Sequence, residues 1–469
     1  MSDSSSSGEL AARMREMVAR LSPGDRLPSS RELIQRYRVG PATVSQAIAM
    51  LAAEGVVSTR PGSGTYVADR PRQRAEAADT AWQTVTLADR SVDTRILTGP
   101  PGPPPDGTIM LDGGYLHRSL QPGQILTAAL ARAARRPDAW DRAPAGGLAA
   151  LRSVFAAMTG DVSADDVLVT AGGQSALSMA FRAIAAPGDP VLVESPTYPG
   201  AIAAARAAGL RPVPVPMDAD GLQPGLLADA FAMTRARLLY CQPTYHNPTG
   251  AVLAPQRRRQ VIDAARAAGA FVIEDDYARH LGHGTPVPPP LLADDGDGAV
   301  VYLTSLTKPA APSLRIGALV ARGPVMARLR AIRMVDDFFV TRPLQETAVE
   351  LLSSPAWDRH VRTLAAALRE RRGALVAALA SELPGWTLAR VPAGGLHLWV
   401  RLPYGADDSA IADTARQYGV AVSAGNRYFA TELPGAWLRL GFAATGGHAE
   451  LIEATRRLAA ACGGSAAGA

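Results

Sequence analysis

"TSLTKPAAPSLRIG" (residues 304–317) holds the only lysine of the chain, Lys308, among 48 Lys and Arg residues of which all the others are arginine. An Ala-, Arg-, Gly- and Pro-rich composition explains why lysine is scarce, since arginine replaces it harmlessly on ordinary surfaces. It does not explain the one that remains. An uncharged ε-amine attacks an aldehyde and forms a Schiff base, which a guanidinium cannot do. Lys308 therefore reads as a nucleophilic amine, and the segments around it as the site that serves it.

From about residue 110 the chain alternates short apolar runs with Ala-rich helical stretches. The runs are "VLVT" (167–170), "VLVE" (191–194), "RLLYC" (237–241), "FVIED" (271–275) and "VVYL" (300–303). This alternation predicts βαβ units and a mostly parallel sheet. A long amphipathic helix over about 356–381, then several strands and another helix, predicts a smaller α+β lobe from about residue 340 to 469.

Pyridoxal phosphate is the most familiar aldehyde held by a lysine in α/β proteins. Its site needs a phosphate cradle, a carboxylate at the pyridine nitrogen, a group to stack on the ring and donors to the phenolic oxygen. "VLVTAGGQSALSMAFRAIA" (167–185) ends a strand at Gly172-Gly173 and opens a helix at Gln174, which offers backbone amides to a phosphate. Ser305 and Arg315, three residues before and seven after Lys308, are natural phosphate ligands. In "FVIEDDYARH" (271–280) Asp275 suits the ring nitrogen, and Tyr277, two residues on, reaches the phenolic oxygen. Asn247 in "PTYHNPTG" (243–250) is a second donor there, and Tyr198 in "ESPTYPG" (194–200) can stack on the ring. A glycine pair, a lone tyrosine or an acidic strand end is commonplace singly. Together, at strand ends of one α/β sheet, they mark the place where ligands gather.

The front of the chain has a different logic. In "GDRLPSSRELIQRYRVGPATVSQAIAMLAAEGVVSTRPGSGTYV" (24–67) Ser29 or Ser30 caps a helix that turns Leu33 and Ile34 inward, with Glu32 near its start. "RVG" turns tightly, and Pro41 opens a second helix whose inward residues are Val44, Ala47, Ile48 and Leu51. Its outward Ala42, Thr43, Ser45 and Gln46 are short or amide-bearing, the types that enter a major groove and read base edges. "STRPGSGTYV" (58–67) predicts two strands about a glycine tip, completing a winged helix-turn-helix.

Both blocks resemble known families. "LPSSREL", "TVSQAIAMLAAEGVV" and "RPGSGTYV" are similar to the GntR-type winged helix, and the resemblance implies DNA contacts from Arg31, Thr43, Gln46, Arg60, Gly62, Ser63 and Gly64. Gly40, Pro41 and Ser45 stand where that family commonly has Ser, Arg and Arg, so a single module has few guanidiniums and a dimer is expected. From about residue 110 the order and spacing of the motifs resemble the fold type I aminotransferases. By that resemblance Gly173, Gln174, Ser305 and Arg315 hold the phosphate and Tyr198 stacks. Asn247 and Tyr277 meet the phenolic oxygen, Asp275 pairs with the ring nitrogen, and Lys308 forms the internal aldimine. "WLRLGFA" (437–443) matches the strand that supplies the substrate-carboxylate arginine, here Arg439. In "DRAPAGGLAALR" (141–152) Arg142 stands where the family often has a tyrosine reaching the partner subunit's phosphate. Pro309 replaces the usual Ser or Thr after the lysine and is expected to hold Lys308 extended.

The domain plan is thus a winged helix over 8–68, a Pro-rich linker over 69–109 ("RPRQRAEAAD", "TGPPGPPPDG") and an aminotransferase-like body over 110–469. The combination resembles the MocR/GabR group of regulators. It implies a pyridoxal phosphate-dependent regulator that binds double-stranded DNA and senses an amino acid or amine by forming an external aldimine. The alternative is a working aminotransferase with an accessory head, and a third reading is a DNA-binding protein whose body has lost the cofactor. Fold type I sites lie at dimer interfaces, so a homodimer is expected, with the heads swapped over the partner's body as one arrangement.

Composition limits other roles. Net charge is only +5, and residues 1–70 carry nine Arg against seven Asp plus Glu, a balance of +2, so DNA binding must come from where the arginines sit. Two cysteines, Cys241 and Cys462, give neither a disulfide framework nor metal-ligand spacing. The start "MSDSSSSGEL" lacks the basic and apolar segments of a signal peptide, and no run reaches the roughly 18 apolar residues of a membrane span. A soluble, cytoplasmic protein is expected.

Overall fold

The computed structural model describes residues 3–60, 62–68, 79–87, 105–160, 162–431 and 435–465, and forms two compact units, Met1–Ser91 and Val92–Ala469. Most of the linker expected over 69–109 lies outside the described residues. Within that span Ala81–Thr86 is a short helix, and a strand, not linker, begins at Ile109.

The front unit packs helices Asp3–Val18, Ser30–Tyr37 and Pro41–Ala53 beside a hairpin, β1 (Val57–Arg60) and β2 (Gly64–Val67). Ser29 starts the second helix through a capping box. Its hydroxyl accepts the Glu32 N–H at 3.3 Å, and the Glu32 carboxylate accepts the Ser29 N–H at 2.7 Å. Arg38 adopts the left-handed conformation that ends this helix, and Pro41 begins the next. Val44, Ala47, Ile48 and Leu51 are buried against Leu10, Met14 and Val18, which follow one another at helical-turn spacing on the first helix. β1 and β2 pair antiparallel from Val57↔Val67 to Arg60↔Gly64. Backbone bonds from Leu27 N–H to Thr65 and from Val67 N–H to Asp25 lay residues 25–27 along the wing's other edge.

In the body, β3 (Ile109–Met110) precedes an eight-stranded sheet. Its strands are β4 (Val167–Thr170), β5 (Pro190–Ser195), β6 (Arg211–Asp218), β7 (Gly221–Leu222), β8 (Leu238–Cys241), β9 (Phe271–Asp275), β10 (Val300–Ser305) and β11 (Gly317–Val320), in the order β4-β11-β10-β9-β8-β5-β6-β7. β6, β5, β8, β9 and β10 run parallel, and β11 lies antiparallel between β10 and β4. The apolar runs are continuous because both faces are covered. Val167, Val169, Leu192, Leu239, Val272, Val300 and Tyr302 meet helices 149–159, 224–234, 255–267 and 342–352 on one side. Their neighbours Leu168, Val191, Val193, Tyr240, Ile273, Val301 and Leu303 meet helices 173–184, 199–207 and 324–336 on the other.

The second lobe has β12 (Thr387–Leu388), β13 (His397–Arg401), β15 (Ser423–Ala424) and β16 (Trp437–Gly441) in the order β12-β13-β16-β15, while β14 (Val420–Ala421) pairs with β3. Leu364, Leu368, Leu375 and Leu379 of helix Pro355–Glu382 close its core with Leu451, Ala454 and Leu458 of helix His448–Ser465. The expected lobe boundary near residue 340 needs correction. Ala348 and Leu351 of helix Arg342–Leu352 lie in the large core, as does Trp357, whereas Leu111 and Leu116 join the small one. An amphipathic stripe shows that a helix covers a core without showing which core it covers.

Leu51 is fully buried in the front unit. Leu51→Ala should cost about 2–5 kcal/mol, a large share of what so small a unit holds. In the full chain, hydrogen exchange should then speed up across residues 3–67, while amides of the large sheet keep their protection.

Candidate functional site

A cavity of about 410 Å³ lies at the carboxyl ends of the parallel strands and is closed from the opposite side by β13, β16 and residues 110–115. The alternation along β9, carried one residue past its end, explains how three successive acids divide. Glu274 accepts the N–H groups of Leu291 and Leu292 at 2.8 and 3.1 Å, and Asp276 is ion-paired with Arg279 and accepts the Tyr302 hydroxyl at 3.1 Å. Both are buried and structural, and burial first of all holds both above the ordinary carboxylate range. Asp275, between them, lines the cavity. Its Oδ2 accepts Tyr240 Oη at 2.7 Å and Gln242 Nε2 at 2.8 Å, while Oδ1 is buried with no partner. Burial pushes Asp275 up to about 6 against the pull of those two hydrogen bonds.

Lys308 stands in the turn after β10. The Ala310 N–H bonds to the Leu306 carbonyl and closes that turn, so the extended backbone expected from Pro309 is not found. Pro309 is not asked for a donor there, and its carbonyl accepts His360 Nε2 at 2.8 Å. The Lys308 ammonium donates to the Gly114 carbonyl at 2.7 Å and lies 3.6 Å from the centre of the Tyr115 ring. Burial, then the Arg439 charge, bring it down to about 7, with Arg315 adding to the effect and Asp275 opposing it.

At one end of the cavity, β4 turns through Gly172 (φ 91°) into helix Gly173–Ile184, whose first-turn amides have no side-chain cap. A Cβ on Gly172 would lie 2.8 Å from the Arg315 guanidinium, and one on Gly173 would lie 3.6 Å from Ser305 Cβ. Arg315 and Ser305 thus both pack against the helix start. Arg315 is fixed by the Ala171 carbonyl at 2.8 Å and by Thr307 Oγ1, which also accepts the Ser305 hydroxyl at 2.9 Å. Tyr198, at the cap of helix Pro199–Ala207, donates to Gln174 Oε1 at 3.1 Å, and its ring lines the cavity.

Arg439 on β16 is buried, donates to Asn247 Oδ1 at 3.4 Å and to the Asp112 carbonyl, and sits 5.4 Å from the Tyr428 ring centre. With its oxygen so taken, Asn247 keeps its NH₂ as a donor. Tyr277 also lines the cavity, but its hydroxyl donates to the Tyr245 carbonyl at 2.8 Å. The proton expected for a phenolic oxygen is therefore already committed to the backbone. Gly173, Gln174, Tyr198, Asn247, Asp275, Tyr277, Ser305, Lys308, Arg315 and Arg439 all line this one cavity, and Arg142 is exposed and does not. Sequence reasoning missed Tyr240, Gln242, Thr307, Gly114, Tyr115, His397 and Arg427. Polar side chains at or just past the end of the apolar run "RLLYC" were the one available signal, for Tyr240 and Gln242.

On the front unit, Arg31, Ser45, Gln46, Arg60, Gly62, Ser63 and Gly64 are exposed and Thr43 is partly so. Gly62 (φ 73°) and Gly64 (φ 118°) shape the wing tip. The Arg60 guanidinium rests 4.8 Å from the Tyr66 ring centre, and Ser63 Oγ lies 2.8 Å from the Tyr66 hydroxyl.

Comparison with known proteins separates the same two parts. The family described as "Aminotransferase class I and II" matches residues 117–458, and "Bacterial regulatory proteins, gntR family" matches residues 7–67. The HTH-type transcriptional regulator TauR of Rhodobacter capsulatus is 29% identical over 461 residues, covering 90% of each chain. The 2-aminoadipate transaminase of Thermus thermophilus is 31% identical over 363 residues, covering 76% of this chain and 91% of that one. Among solved structures, the α-aminoadipate aminotransferase LysN of Thermus thermophilus, complexed with N-(5'-phosphopyridoxyl)-L-leucine, superposes with a TM-score of 0.75 at 29% identity. It covers 82% of this chain and 99% of that one. Pyridoxal phosphate fits the residues present here. The unpartnered Asp275 Oδ1 matches a pyridinium N–H, and the uncapped helix start with Ser305 and Arg315 matches a phosphate.

Cofactor uptake, stability and DNA binding test this geometry. Uptake of pyridoxal phosphate by the apoprotein should accelerate as pH rises through about 7, where Lys308 loses its proton, and then level off, as followed by absorbance. The unfolded chain keeps that proton up to the ordinary 10.5, so this group makes the apoprotein more stable as pH rises from about 7 to 10.5. In DNA binding, Arg60→Ala should weaken all sequences alike and lower the salt slope by about 1, while Gln46→Ala should relax selectivity at one base position by roughly 1–3 kcal/mol.

Proposed function

Because this chain belongs to the aminotransferase class I and II family and carries a gntR-family module ahead of that body, the MocR-type combination, we propose that it is a pyridoxal phosphate-dependent transcriptional regulator whose DNA binding answers to an amino acid or amine. One observation carries the reading. An outward-facing recognition helix and wing share a polypeptide with a cavity whose buried polar groups suit pyridoxal phosphate. Pyridoxal phosphate bound there supplies an aldehyde that Lys308 holds and that the effector's amine takes over.

This chain's own groups do the rest. Asp275 Oδ1 holds the proton at the ring nitrogen, while Tyr240 and Gln242 fix its other oxygen. The amides at Gly173 and Gln174, with Ser305 and Arg315, bind the phosphate. Asn247 donates to the phenolic oxygen, Tyr198 covers the ring, and Arg439 takes the effector's carboxylate. Lys308, poised near neutrality, gives up and recovers a proton as it exchanges with the incoming amine. The effector shifts DNA binding only through its different affinity for two states of the protein. Two copies are needed for the lean recognition helix to bind tightly. Helix Pro41–Ala53 carries no arginine, which supports a homodimer that presents two copies of it to DNA.

A working aminotransferase is the second reading, supported by Lys308, Asp275 and Arg439 being present together and by the similarity to a transaminase. DNA fragments selected from a random library by the full-length protein, with and without pyridoxal phosphate and a panel of amino compounds, test the first. Effector-dependent binding that Lys308→Ala abolishes is the expected result, and binding indifferent to both cofactor and amines overturns it. Multiple-turnover conversion of an amino donor to its oxo acid would instead favour the enzyme.

A further inference from the structure

We infer that the effector is an amino acid carrying a second anionic group, a side-chain carboxylate, received by Arg427. The inference rests on the reading of the cavity as an amino-acid sensor and specifies what that sensor takes. Three arginines line the cavity, Arg315, Arg427 and Arg439, against two acids, Asp112 and Asp275. Two of the three arginines are engaged. Arg315 is tied to the Ala171 carbonyl and Thr307 at the helix start, and Arg439 is tied to Asn247, the Asp112 carbonyl and the Tyr428 ring. Arg427 is half-buried, and among the described residues it has no hydrogen bond or ion pair.

Its backbone, by contrast, is fixed. Arg427 lies in the short helix Gly425–Tyr428 that links β15 to the run before β16. On one side the Asn426 N–H donates to Asp408 at 3.0 Å and its amide to Ser409 at 2.8 Å. On the other, Tyr428 lies 3.1 Å from Ser423 Oγ through its hydroxyl, and its carbonyl accepts the Thr197 N–H at 2.7 Å. A pinned backbone carrying an unpaired guanidinium into a cavity is a preorganised anion receptor.

The charges then sort themselves. The cofactor's phosphate answers Arg315 and the uncapped helix start, Asp275 answers the ring nitrogen, and an α-carboxylate answers Arg439. A neutral side chain would leave the Arg427 guanidinium to solvent alone, whereas a side-chain carboxylate gives it charge-assisted hydrogen bonds inside the cavity.

The test titrates the cofactor-loaded, full-length protein with L-glutamate, L-2-aminoadipate, L-glutamine and L-norleucine, following cofactor absorbance. The two acidic amino acids should bind about 10–100-fold tighter than the two neutral ones. Arg427→Gln should erase that preference, bringing the acidic amino acids down to the affinity of the neutral ones, while Arg427→Glu should turn the preference toward L-ornithine. Retention of the cofactor spectrum confirms that each variant is folded. Equal binding of glutamate and glutamine to the unaltered protein, or a parallel loss for both in Arg427→Gln, overturns the inference and leaves the sensor reading standing. If no amine of either class shifts the absorbance, the sensor reading falls and this inference falls with it.

Discussion

A carboxylate taken out of water with only one of its oxygens satisfied is expensive to bury. Asp275 is buried in that condition at the end of β9. Its cost is tolerable only in a structure that has something to put against the free oxygen. Tyr240 comes from the neighbouring strand and Gln242 from just beyond it, so the adjoining parallel strands must hold register for the other oxygen to be met. Parallel strands in register need helices on both faces, and the alternating apolar residues of the sheet supply the surfaces for them. The same pleat sends Glu274 and Asp276 the opposite way, into structural bonds, so a single acid serves the cavity.

The sequence is most informative where a residue type has few uses. A lone lysine, a strand closing on acids and a glycine pair before a helix point to the sheet, the cavity and its cofactor chemistry. The winged unit is equally open to reading, because caps, turns and an inward stripe are local features. What stays hidden depends on distance or on the choice of partner. The Lys308 ammonium meets a carbonyl 194 residues away, at Gly114, and no local pattern announces that. Helix Arg342–Leu352 shows its stripe but not the core it joins. Spacing alone assigns Tyr277 to the phenolic oxygen, and spacing does not show that its proton goes to the Tyr245 carbonyl. Arg427 is one arginine among dozens, and only the enclosing geometry sets it apart.

The two units divide the work by how they are held together. The front unit is small, closed around a single cluster that includes Leu33, Val44 and Leu51, and leaves short polar side chains outward. The body has two large cores, and the cavity lies where their lobes meet, lined from the sheet by Asp275 and Lys308 and from the smaller lobe by Arg427 and Arg439. A ligand that touches both sets of residues bears on the spacing of the two lobes, which is the mechanical opening through which chemistry at Lys308 can become a change of shape.

Reactive aldehydes are indiscriminate toward amines, and a protein that handles one normally exposes many wrong targets on its own surface. Here every other Lys or Arg position is a guanidinium, and the single ε-amine sits in the cavity with its basicity lowered toward neutrality. The chain is in effect chemoselective by composition. A cofactor added in excess finds one lysine to modify, so lysine adducts stop at one equivalent and the guanidiniums that approach DNA keep their charge.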